Sequence, residues 1–384
     1  MSKVLILSGA RTAIGSFGGA LKDVPATELG RVVIEGAIER AGIDKADVEE
    51  VIFGNVLQAG GGMNPARQSA IAAGIPENVP SFTVNKVCGS GLKAVALAAQ
   101  AIKAGDADLI IAGGTESMSR APYILANARW GYRLGSGQLI DSMLSEGLTC
   151  AMGSCHMGVT AENIVAECDI GREAQDRFAV ESQRRALEAI EAGRFKDEIV
   201  DVMIEQKKGG PVAFNTDEFP RADTTVDKLA RLKPAFLEAG SVTAGNSSGI
   251  NDGAAALVVA SEERARLMEL APMAEIVAYA SAGVAPRVMG LGPVPAIERV
   301  LEKAGMRLGD IDLFELNEAF AAQSLAVVQK LGLDPSRVNV NGGAIALGHP
   351  IGASGARVLV TLLYEMRRRD LQTGLAALCI GGGQ

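Results

Sequence analysis

The chain has 384 residues, of which 48% are apolar and 46 are glycine, a composition typical of a globular protein with large cores. Its 37 Lys and Arg residues against 45 Asp and Glu residues give a net charge of −8, which argues against general binding to nucleic acid or to an anionic membrane. No apolar run reaches the roughly 18 residues of a membrane span, and the five cysteines are odd in number and irregularly spaced, so we expect a cytoplasmic protein with reduced thiols.

A helix and a strand are predicted near the start of the chain. The apolar pattern from Thr27, the expected N-cap, predicts a helix that ends at Ala41-Gly42, and a short strand follows at Val51-Ile52-Phe53. A similar pattern occurs much later, where a helix ends at Gly305 and leads to a strand at Leu313-Phe314-Glu315-Leu316. The two patterns share their order and nearly the same spacing, which indicates an internal repeat.

The repeat continues through a second helix and strand in each copy. Ser90-Gly91 opens a helix that leads to a buried-strand pattern at 109–114, and Ser354-Gly355 opens one that leads to a similar pattern at 375–382. We therefore predict an α/β protein of two duplicated halves, related by a pseudo-twofold axis and built on mostly parallel sheets. The expected boundaries are 1–118 for the N-terminal half, completed by about 250–269, then 119–249 for an inserted loop domain and 270–384 for the C-terminal half.

The inserted segment has its own pattern. Residues 130–137 are irregular and rich in Gly and Arg, whereas residues 172–192 have the periodicity of an amphipathic helix. Since the insertion lies between the two halves in the chain, we expect it to cover the functional site.

Cys88 lies on a glycine-rich turn immediately before an apolar helix. The N–H groups and dipole at a helix start favour a thiolate, and Gly89 and Gly91 allow a substrate to approach the backbone closely. A free cysteine is also often a small buried apolar residue. Local sequence leaves both the reactive and the structural interpretation open.

The chain has only two histidines, His156 and His349. A single histidine is often a hydrogen-bonded structural residue, and we prefer that interpretation for His156 on local sequence alone. His349 is surrounded by glycines and precedes its helix as Cys88 precedes the equivalent helix. A pseudo-twofold axis would bring the two helix starts together, so that an imidazole base faces a thiol nucleophile.

Two further side chains follow predicted strands. Cys379 ends a buried-strand pattern beside three glycines, where either core packing or a role in the site is consistent with the sequence. Asn317 follows the strand 313–316, where it could donate a hydrogen bond to an oxyanion or could serve as a helix N-cap.

Metal and nucleotide sites are not expected. Cys150, Cys155, His156 and Cys168 lack the paired, closely spaced ligands of a zinc site. The glycine-rich segments contain neither a Walker-type Gly-Lys-Ser/Thr ending nor a dinucleotide fingerprint between a strand and a helix.

Six motifs in the same order along nearly the whole chain resemble those of the thiolases, and in particular the biosynthetic acetyl-CoA C-acetyltransferases. The motifs are residues 85–94 with Cys88, His156-Met157-Gly158, residues 241–246 continuing to 249–254, Asn317-Glu318-Ala319-Phe320, residues 342–355 with His349, and residues 379–383. The resemblance implies the layered αβαβα thiolase fold.

The resemblance also implies a reversible Claisen condensation of two acetyl-CoA molecules to acetoacetyl-CoA and CoA. His349 would activate Cys88, which carries the acetyl group, and Cys379 would act as the base on the second acetyl-CoA. Asn317, through a water molecule, and His349 would form one oxyanion hole, and the backbone amides of Cys88 and Gly381 the other.

Substrate contacts are likewise implied by the resemblance. The resemblance counts His156 among the catalytic residues. His156 and Met157 are typical of the short-chain branch, in which Met157 and Phe320 narrow the acyl pocket. Further expected contacts with the CoA thioester are Arg221 near the adenine, Ser248 near the pantetheine arm, and Lys228, Ala244, Met289 and Ala319. A solvated charged face remains the alternative for Lys228.

CoA thioesters would be substrates, and no cofactor is expected. Residues 121–140 resemble the tetramerisation loop of the family, so we expect a homotetramer, a dimer of dimers. Family members usually continue with one short strand beyond the position of Gln384, so we expect a trimmed C-terminus.

Three alternatives remain. The first is a 3-ketoacyl-CoA thiolase of broader chain length. The second is a condensing enzyme of the ketoacyl synthase type, which would not need Cys379 as a base. The third is a carrier of acyl-CoA or lipid without activity, which the presence of Cys88, His349, Cys379 and Asn317 together disfavours.

Overall fold

Strands and helices alternate along the first half in the computed structural model, which describes residues 3–384. The elements of this half are β1 (Val4–Thr12), β2 (Gly15–Ser16), α1 (Ala26–Ala41), β3 (Glu50–Gly54), α2 (Pro65–Ala72), β4 (Ser81–Val84), α3 (Ser90–Ala104) and β5 (Leu109–Ser117). Thr27 is not the N-cap of α1 as predicted, because Pro25 takes that position with an extended backbone and the helix starts one residue before Thr27.

The segment that follows contains short strands and three helices. They are β6 (Tyr123–Ile124), β7 (Ile140–Asp141), β8 (Thr149–Cys150), β9 (Cys155–His156), α4 (Met157–Cys168), α5 (Arg172–Glu191), β10 (Ile199–Val200), β11 (Val202–Ile204), β12 (Val212–Phe214) and α6 (Val226–Ala230). A π-helical turn, Met143–Leu148, precedes β8. The predicted amphipathic helix 172–192 is confirmed by α5, and residues 130–137 form no helix or strand.

The remaining elements complete the first sheet and build the second half. They are β13 (Asn251–Ser261), α7 (Glu262–Leu267), β14 (Ala274–Glu275), α8 (Pro293–Ala304), β15 (Leu313–Leu316), α9 (Ala321–Leu331), α10 (Ala344–Leu347), α11 (Ser354–Arg369) and β16 (Gly374–Ala377). The last strand ends at Ala377, earlier than the apolar pattern predicts, so Cys379 lies in an irregular segment between the strand and the turn at 381–383.

The first sheet is mixed, and the prediction of mostly parallel sheets is wrong for it. Its strand order is β10-β1-β13-β5-β3-β4. Strand β13 runs antiparallel to both β1 and β5, while β3 is parallel to β4 and β5. Since β13 enters the sheet from the long insertion and not through a helical crossover, its direction is not restricted to parallel.

The helices and the two sheets form five layers. Helices α1 and α2 cover one face of the first sheet, and α3 and α11 cover the other. Strands β15 and β16 pair in parallel to form a second sheet. Helix α11 also packs on this sheet, and α8 and α9 cover its outer face. The predicted αβαβα layering is therefore confirmed, with α3 and α11 forming the central layer.

The internal repeat is visible in the local geometry. Gly42 and Gly305 both end their helices in the left-handed conformation, with φ of 69° and 66°. A 3₁₀ helix follows each glycine, at Lys45–Asp47 and Leu308–Asp310, and leads to β3 or β15. Glycine is suited to this position because it has no Cβ to clash in the left-handed region.

The starts of α3 and α11 are in direct contact. A Cβ on Gly355 would lie 2.3 Å from the backbone nitrogen of Leu92, and a Cβ on Gly91 would lie 2.6 Å from that of Ala356. Both distances are too short for any side chain. The two equivalent glycines therefore allow the backbones of the two halves to meet at the pseudo-twofold axis.

A buried ion-pair cluster joins the inserted segment to the first sheet. Arg11 of β1 donates to Glu198 Oε1 at 2.6 Å and to both carboxylate oxygens of Asp217 at 2.7 and 2.9 Å. Its guanidinium also lies 4.9 Å from the centre of the Phe195 ring. Each charge has a partner, as buried charges require.

Within residues 3–384, no helix combines the length and the apolar character that crossing a membrane requires.

We predict that Gly355→Ala destabilises the protein by about 3 kcal/mol, the upper end of the usual cost of overpacking, because backbone on the facing helix cannot move aside cheaply. Urea-induced unfolding of the variant measures this cost. The matched control is Gly309→Ala, because a Cβ on the exposed Gly309 meets no atom within 4 Å. Equal stability of the two variants would show that the contact between α3 and α11 is not tight.

Candidate active site

Cys88 lies on a turn that is held in a strained conformation. Val87, which is β-branched, has a φ of 47°, in the left-handed region that such residues rarely adopt. The Ser90 hydroxyl accepts from the backbone N–H of Lys86 at 2.8 Å and donates to the carbonyl of Val87 at 2.6 Å. These bonds fix the turn and place the thiol just before α3.

Burial raises the pKa of Cys88 to about 11, although the backbone N–H groups of Gly381 and Cys88 lower it. The carboxylate of Glu116 raises the pKa further. The sequence predicts that the helix start favours the thiolate, but desolvation outweighs that effect in the free protein. Cys88 therefore rests as a thiol and needs a base.

His349 is suited to be that base. Its side chain is buried, and burial, with a contribution from the Arg357 guanidinium, lowers its pKa to about 3, so the imidazole is neutral at physiological pH. The Ser354 hydroxyl donates to the carbonyl of Pro350 at 2.9 Å and lies 2.6 Å from His349 Nδ1. Since a hydroxyl has one hydrogen, Nδ1 is the donor to Ser354, and Nε2 is left free to accept a proton.

Asn317 lies beside His349. Its Nδ2 is 3.4 Å from His349 Nε2, and its buried Oδ1 has no hydrogen-bond partner among the described residues. The alternative of a helix N-cap is wrong, because α9 starts only at Ala321 and Phe320 is its N-cap. The amide therefore faces the histidine, where it can donate to an anionic oxygen.

Cys379 is completely buried, and burial together with the neighbouring Cys88 raises its pKa well above the usual range for a thiol. A Cβ on Gly89 would lie 2.3 Å from Cδ1 of Ile380, so the residues that follow Cys88 and Cys379 are in contact. Gly381, two residues further on, directs its backbone N–H toward Cys88. The neutral thiol of Cys379 and the backbone N–H of Gly381 thus belong to the same site as the Cys88 thiol.

An apolar cluster surrounds this group. Its buried members are Cys150, Met157, Ala161, Val242, Met289, Ala319, Phe320 and Cys379, and the partly buried Cys155 and Phe236 pack against it. The Met157 sulfur lies 3.3 Å from the position of a Cβ on Gly381. The structure therefore brings together Met157, Met289, Ala319 and Phe320, which the resemblance assigns to the substrate pocket.

His156 is both a structural residue and a neighbour of the cluster. Its Nδ1 accepts from the N–H of Gly158 at 3.0 Å and caps α4, which leaves the proton on Nε2. Its ring stacks on Phe236 with centroids 4.7 Å apart. Burial lowers the pKa of His156, so the side chain is a neutral Nε2–H donor.

The other predicted CoA contacts lie further out. The N–H of Ser248 donates to the carbonyl of Ala319 at 3.0 Å, next to the cluster, and Ala244 is exposed. Arg221 is exposed and stacks on Phe219, with 5.0 Å between the guanidinium and the ring centre. Lys228 is exposed and pairs with Asp223 at 2.7 Å, which agrees with a solvated charged face.

Sequence reasoning missed Glu116, at the end of β5. This buried carboxylate accepts from the backbone N–H groups of Val56 at 3.0 Å, Leu57 at 3.2 Å and Gly352 at 2.9 Å, and from Asn55 Nδ2 at 2.9 Å. None of these partners is a cation, and burial raises the pKa of Glu116 to about 7. A charged residue in a strand whose residues are all buried is the feature that marks it, and the apolar run 109–112 at the start of that strand is the signal in the sequence.

Glu116 joins the loop that follows His349 to the loop that follows β3, and both loops pack around Cys88. Ile351 and Leu57 belong to the apolar cluster that contacts the Cys88 side chain. Ser354, which sets the tautomer of His349, was also missed, because the sequence alone does not show which ring nitrogen it contacts.

This arrangement is suited to covalent acyl transfer: a thiol nucleophile, a neutral imidazole base, a second thiol and nearby N–H donors in a mostly dry pocket. Among the described residues, no group of three His, Cys, Asp or Glu side chains is placed to hold a metal ion.

Comparisons with known proteins agree with this chemistry. The family model "Thiolase, N-terminal domain" matches residues 4–263 and "Thiolase, C-terminal domain" matches residues 270–384. The chain is 60% identical to an acetyl-CoA acetyltransferase of Cupriavidus necator over 383 residues, which is 100% of this chain and 98% of the relative. It is also 60% identical to an Escherichia coli protein of the same name, again with 100% and 98% covered. A crystal structure of the Bacillus anthracis acetyl-CoA acetyltransferase superimposes with a TM-score of 0.97 at 48% identity and covers 100% of this chain and 97% of that one.

We predict that Glu116→Gln makes Cys88 easier to ionise. Glu116, with a pKa of about 7, is negatively charged where Cys88 titrates near 11, and this charge opposes the thiolate. A neutral amide removes the opposition, so the midpoint of Cys88 alkylation by iodoacetamide should fall by about one pH unit. The rate of labelling against pH, read by mass spectrometry of the Cys88 peptide, measures the shift.

The control for this prediction is Glu146→Gln, at an exposed carboxylate. Thermal unfolding of both variants shows whether the fold is intact. A folded Glu116→Gln protein with the midpoint of the wild type would contradict the electrostatic role of Glu116.

Proposed function

This chain belongs to the thiolase family and is an acyltransferase, and we propose that it is an acetyl-CoA acetyltransferase, which interconverts two acetyl-CoA with acetoacetyl-CoA and CoA. The observation that supports this proposal most directly is the presence of two thiols on contacting segments, the partly buried Cys88 and the buried Cys379, whose pKa values are both raised, together with a histidine that burial keeps neutral. Acyl transfer that is coupled to making or breaking a carbon–carbon bond requires a nucleophile and two groups that carry protons.

The resting protonation states suit the cleavage direction. Cys88 gives its proton to Nε2 of His349 as its sulfur attacks the 3-keto carbon of acetoacetyl-CoA. The bond between the second and third carbons then breaks, and the electron pair forms the enolate of acetyl-CoA. Cys379, resting as a thiol, donates its proton to that enolate carbon, so acetyl-CoA leaves and Cys88 carries the acetyl group.

CoA completes the cycle. The Cys379 thiolate takes the proton of the CoA thiol, and the CoA sulfur attacks the acetyl carbon on Cys88. The bond to the Cys88 sulfur breaks, and His349 returns its proton to that sulfur. Condensation follows the same steps in reverse, with Cys379 removing a methyl proton from acetyl-CoA.

Two sets of donors would stabilise the oxyanions. Asn317 Nδ2 and His349 lie together, and Asn317 would act through a bridging water molecule. The backbone N–H groups of Gly381 and Cys88 are directed at the nucleophile from another side. Because both sets lie in a buried, mostly apolar site, each hydrogen bond is stronger than it would be in water.

The side chains around the thiols support a short acyl chain. Met157 reaches Gly381, and the ring of Phe320 meets Phe236 edge-on with centroids 6.1 Å apart, so these side chains fill the space near the thiols. A 3-ketoacyl-CoA thiolase of broader chain length would need more room there. The exposed Arg221 is proposed to meet the anionic end of CoA, near the adenine.

We also propose that the enzyme needs no cofactor, since CoA thioesters supply the acyl group. A location in the cytoplasm is supported by five free thiols among the described residues. A ketoacyl synthase-type reaction is disfavoured, because such an enzyme has no use for the second thiol, Cys379.

We predict that Cys379→Ala separates the two half-reactions. The variant should still accept acetyl from acetyl-CoA onto Cys88, because the CoA thiolate is a good leaving group and can depart without the proton of Cys379. Turnover of acetoacetyl-CoA with CoA should fall by about 10³-fold, because the enolate needs that proton from a general acid. Mass spectrometry of the Cys88 peptide and release of acetyl-CoA measure the two effects.

Cys88→Ala is the matched control and should abolish both acylation and turnover. If wild-type Cys88 is acylated only by longer ketoacyl-CoAs, the short-chain proposal is wrong. If Cys88 is never acylated by any of these thioesters, the proposed function itself is wrong.

A homotetramer is proposed from the surface of the inserted segment. The two-stranded arm of β6 and β7 and the loop between them expose large apolar side chains, with Trp130 85%, Leu134 98% and Leu139 67% exposed. Exposed apolar residues grouped in this way mark a surface for association.

We predict that Leu134→Glu reduces the assembly from a tetramer to a dimer, because a charge at this position would be desolvated on association. Sedimentation velocity measures the change. Leu267→Glu is the control, since Leu267 is also exposed, at 63%, but lies outside this arm. A wild-type protein that sediments as a dimer or monomer would contradict the proposed tetramer.

A further inference from the structure

Cys150 and Cys155 face each other across a short hairpin beside the active site. Strands β8 and β9 are antiparallel, and the register pairs Cys150 directly with Cys155. Directly opposed residues of antiparallel strands have Cα atoms about 4.5–5.5 Å apart, within the range of about 4.4–6.8 Å found in disulfides. The backbone spacing therefore already suits a bond between the two sulfurs.

The two sulfurs also lie on the same side of the hairpin. A Cβ on Gly153, in the turn, would lie 3.3 Å from Cys155 Sγ and 3.8 Å from Cys150 Sγ. Apart from the adjoining residues of the turn, no other heavy atom comes within 4 Å of that point. Because Gly153 has no side chain, the space between the two thiols is open.

The two thiols differ in exposure. Cys150 is 3% exposed, whereas Cys155 is partly exposed, and both are free. An oxidant can thus reach Cys155 from solvent, while Cys150 is held next to it as the resolving thiol.

We propose that Cys150 and Cys155 are a site of reversible oxidation, at which hydrogen peroxide closes a disulfide across the hairpin. The sulfur of Cys155 attacks one peroxide oxygen and the O–O bond breaks, which gives a sulfenic acid and one water molecule. The sulfur of Cys150 then attacks the Cys155 sulfur and the S–O bond breaks, which releases a second water molecule. Two thiols lose two electrons in total, and one peroxide is reduced.

The position of the hairpin connects this site to the acyl pocket. Cys150 and Cys155 belong to the apolar cluster that includes Met157 and Cys379, and His156 directly follows Cys155. The Met152 methyl group, in the turn, lies 2.8 Å from the position of a Cβ on Gly382. Closing the disulfide would therefore make rigid the hairpin that contacts the loop of Cys379, and we expect this to change turnover. The effect on turnover rests on the proposed function, whereas the oxidation itself does not.

Peptide mapping tests the proposal. The native protein is treated with hydrogen peroxide, its remaining thiols are blocked with N-ethylmaleimide, and it is digested with a protease that cleaves after glutamate. The peptide 147–162 contains Cys150 and Cys155 and no other cysteine. We expect it to be lighter by two hydrogens and unlabelled, and to take two labels after reduction by dithiothreitol.

Two variants serve as controls. In Cys155→Ser, Cys150 has lost its partner, and the peptide should take one label after the same treatment. Cys168→Ser, which removes a partly buried thiol at the end of α4, should leave the result for 147–162 unchanged. Circular dichroism during oxidation shows whether the protein remains folded, so that a disulfide formed only after unfolding counts against the proposal.

Two labels on peptide 147–162 from oxidised wild-type protein would overturn the proposal, as would sulfinic acid at Cys155 without a disulfide. Because this readout does not use turnover, its failure is distinct from failure of the proposed acetyltransferase activity, which acylation of Cys88 tests separately.

Discussion

The contact between the starts of α3 and α11 is the constraint on which the active site depends. Cys88 and His349 each precede one of these helices, so the thiol and the imidazole can meet only if the two helix starts do. Gly91 and Gly355 allow that contact, because any side chain at either position would collide with backbone of the facing helix. The internal duplication places equivalent helix starts on the two sides of the pseudo-twofold axis, and the two glycines allow the backbones of these helices to come into contact.

Burial at this junction determines the chemistry. Where the two halves and the inserted segment meet, the side chains of Cys88, Cys379 and His349 are desolvated. Their charged forms are therefore disfavoured, and all three rest neutral. A neutral thiol with a neutral imidazole as its proposed base is stable at rest, and charge develops only as the thiol attacks. The N–H of Gly381 is already directed at that sulfur. The same burial would make a preformed thiolate costly.

Polar groups hold the loops that carry these side chains. Asn251 accepts from the backbone N–H of His349 at 2.9 Å, Ser354 fixes the imidazole tautomer, and Glu116 binds the loop that contains Gly352. The bonds of Asn251 and Glu116 join segments that are distant in the sequence, whereas Ser354 acts within one loop. Together they give the site a defined geometry without a metal or a cofactor in the proposed reaction.

The sequence by itself determined the features that depend on local patterns and on recognisable motifs. The duplication, the helix ends at Gly42 and Gly305, the helix starts after Cys88 and His349 and the family were all readable, because periodicity and glycine positions act over a few residues. Tertiary structure decided the antiparallel placement of β13, the raised pKa of Cys88, the tautomer set by Ser354, the role of Glu116 and the orientation of Cys150 toward Cys155. These properties depend on desolvation, on contacts between distant segments and on the exact conformation of short loops and hairpins, which the periodicity of the sequence does not record.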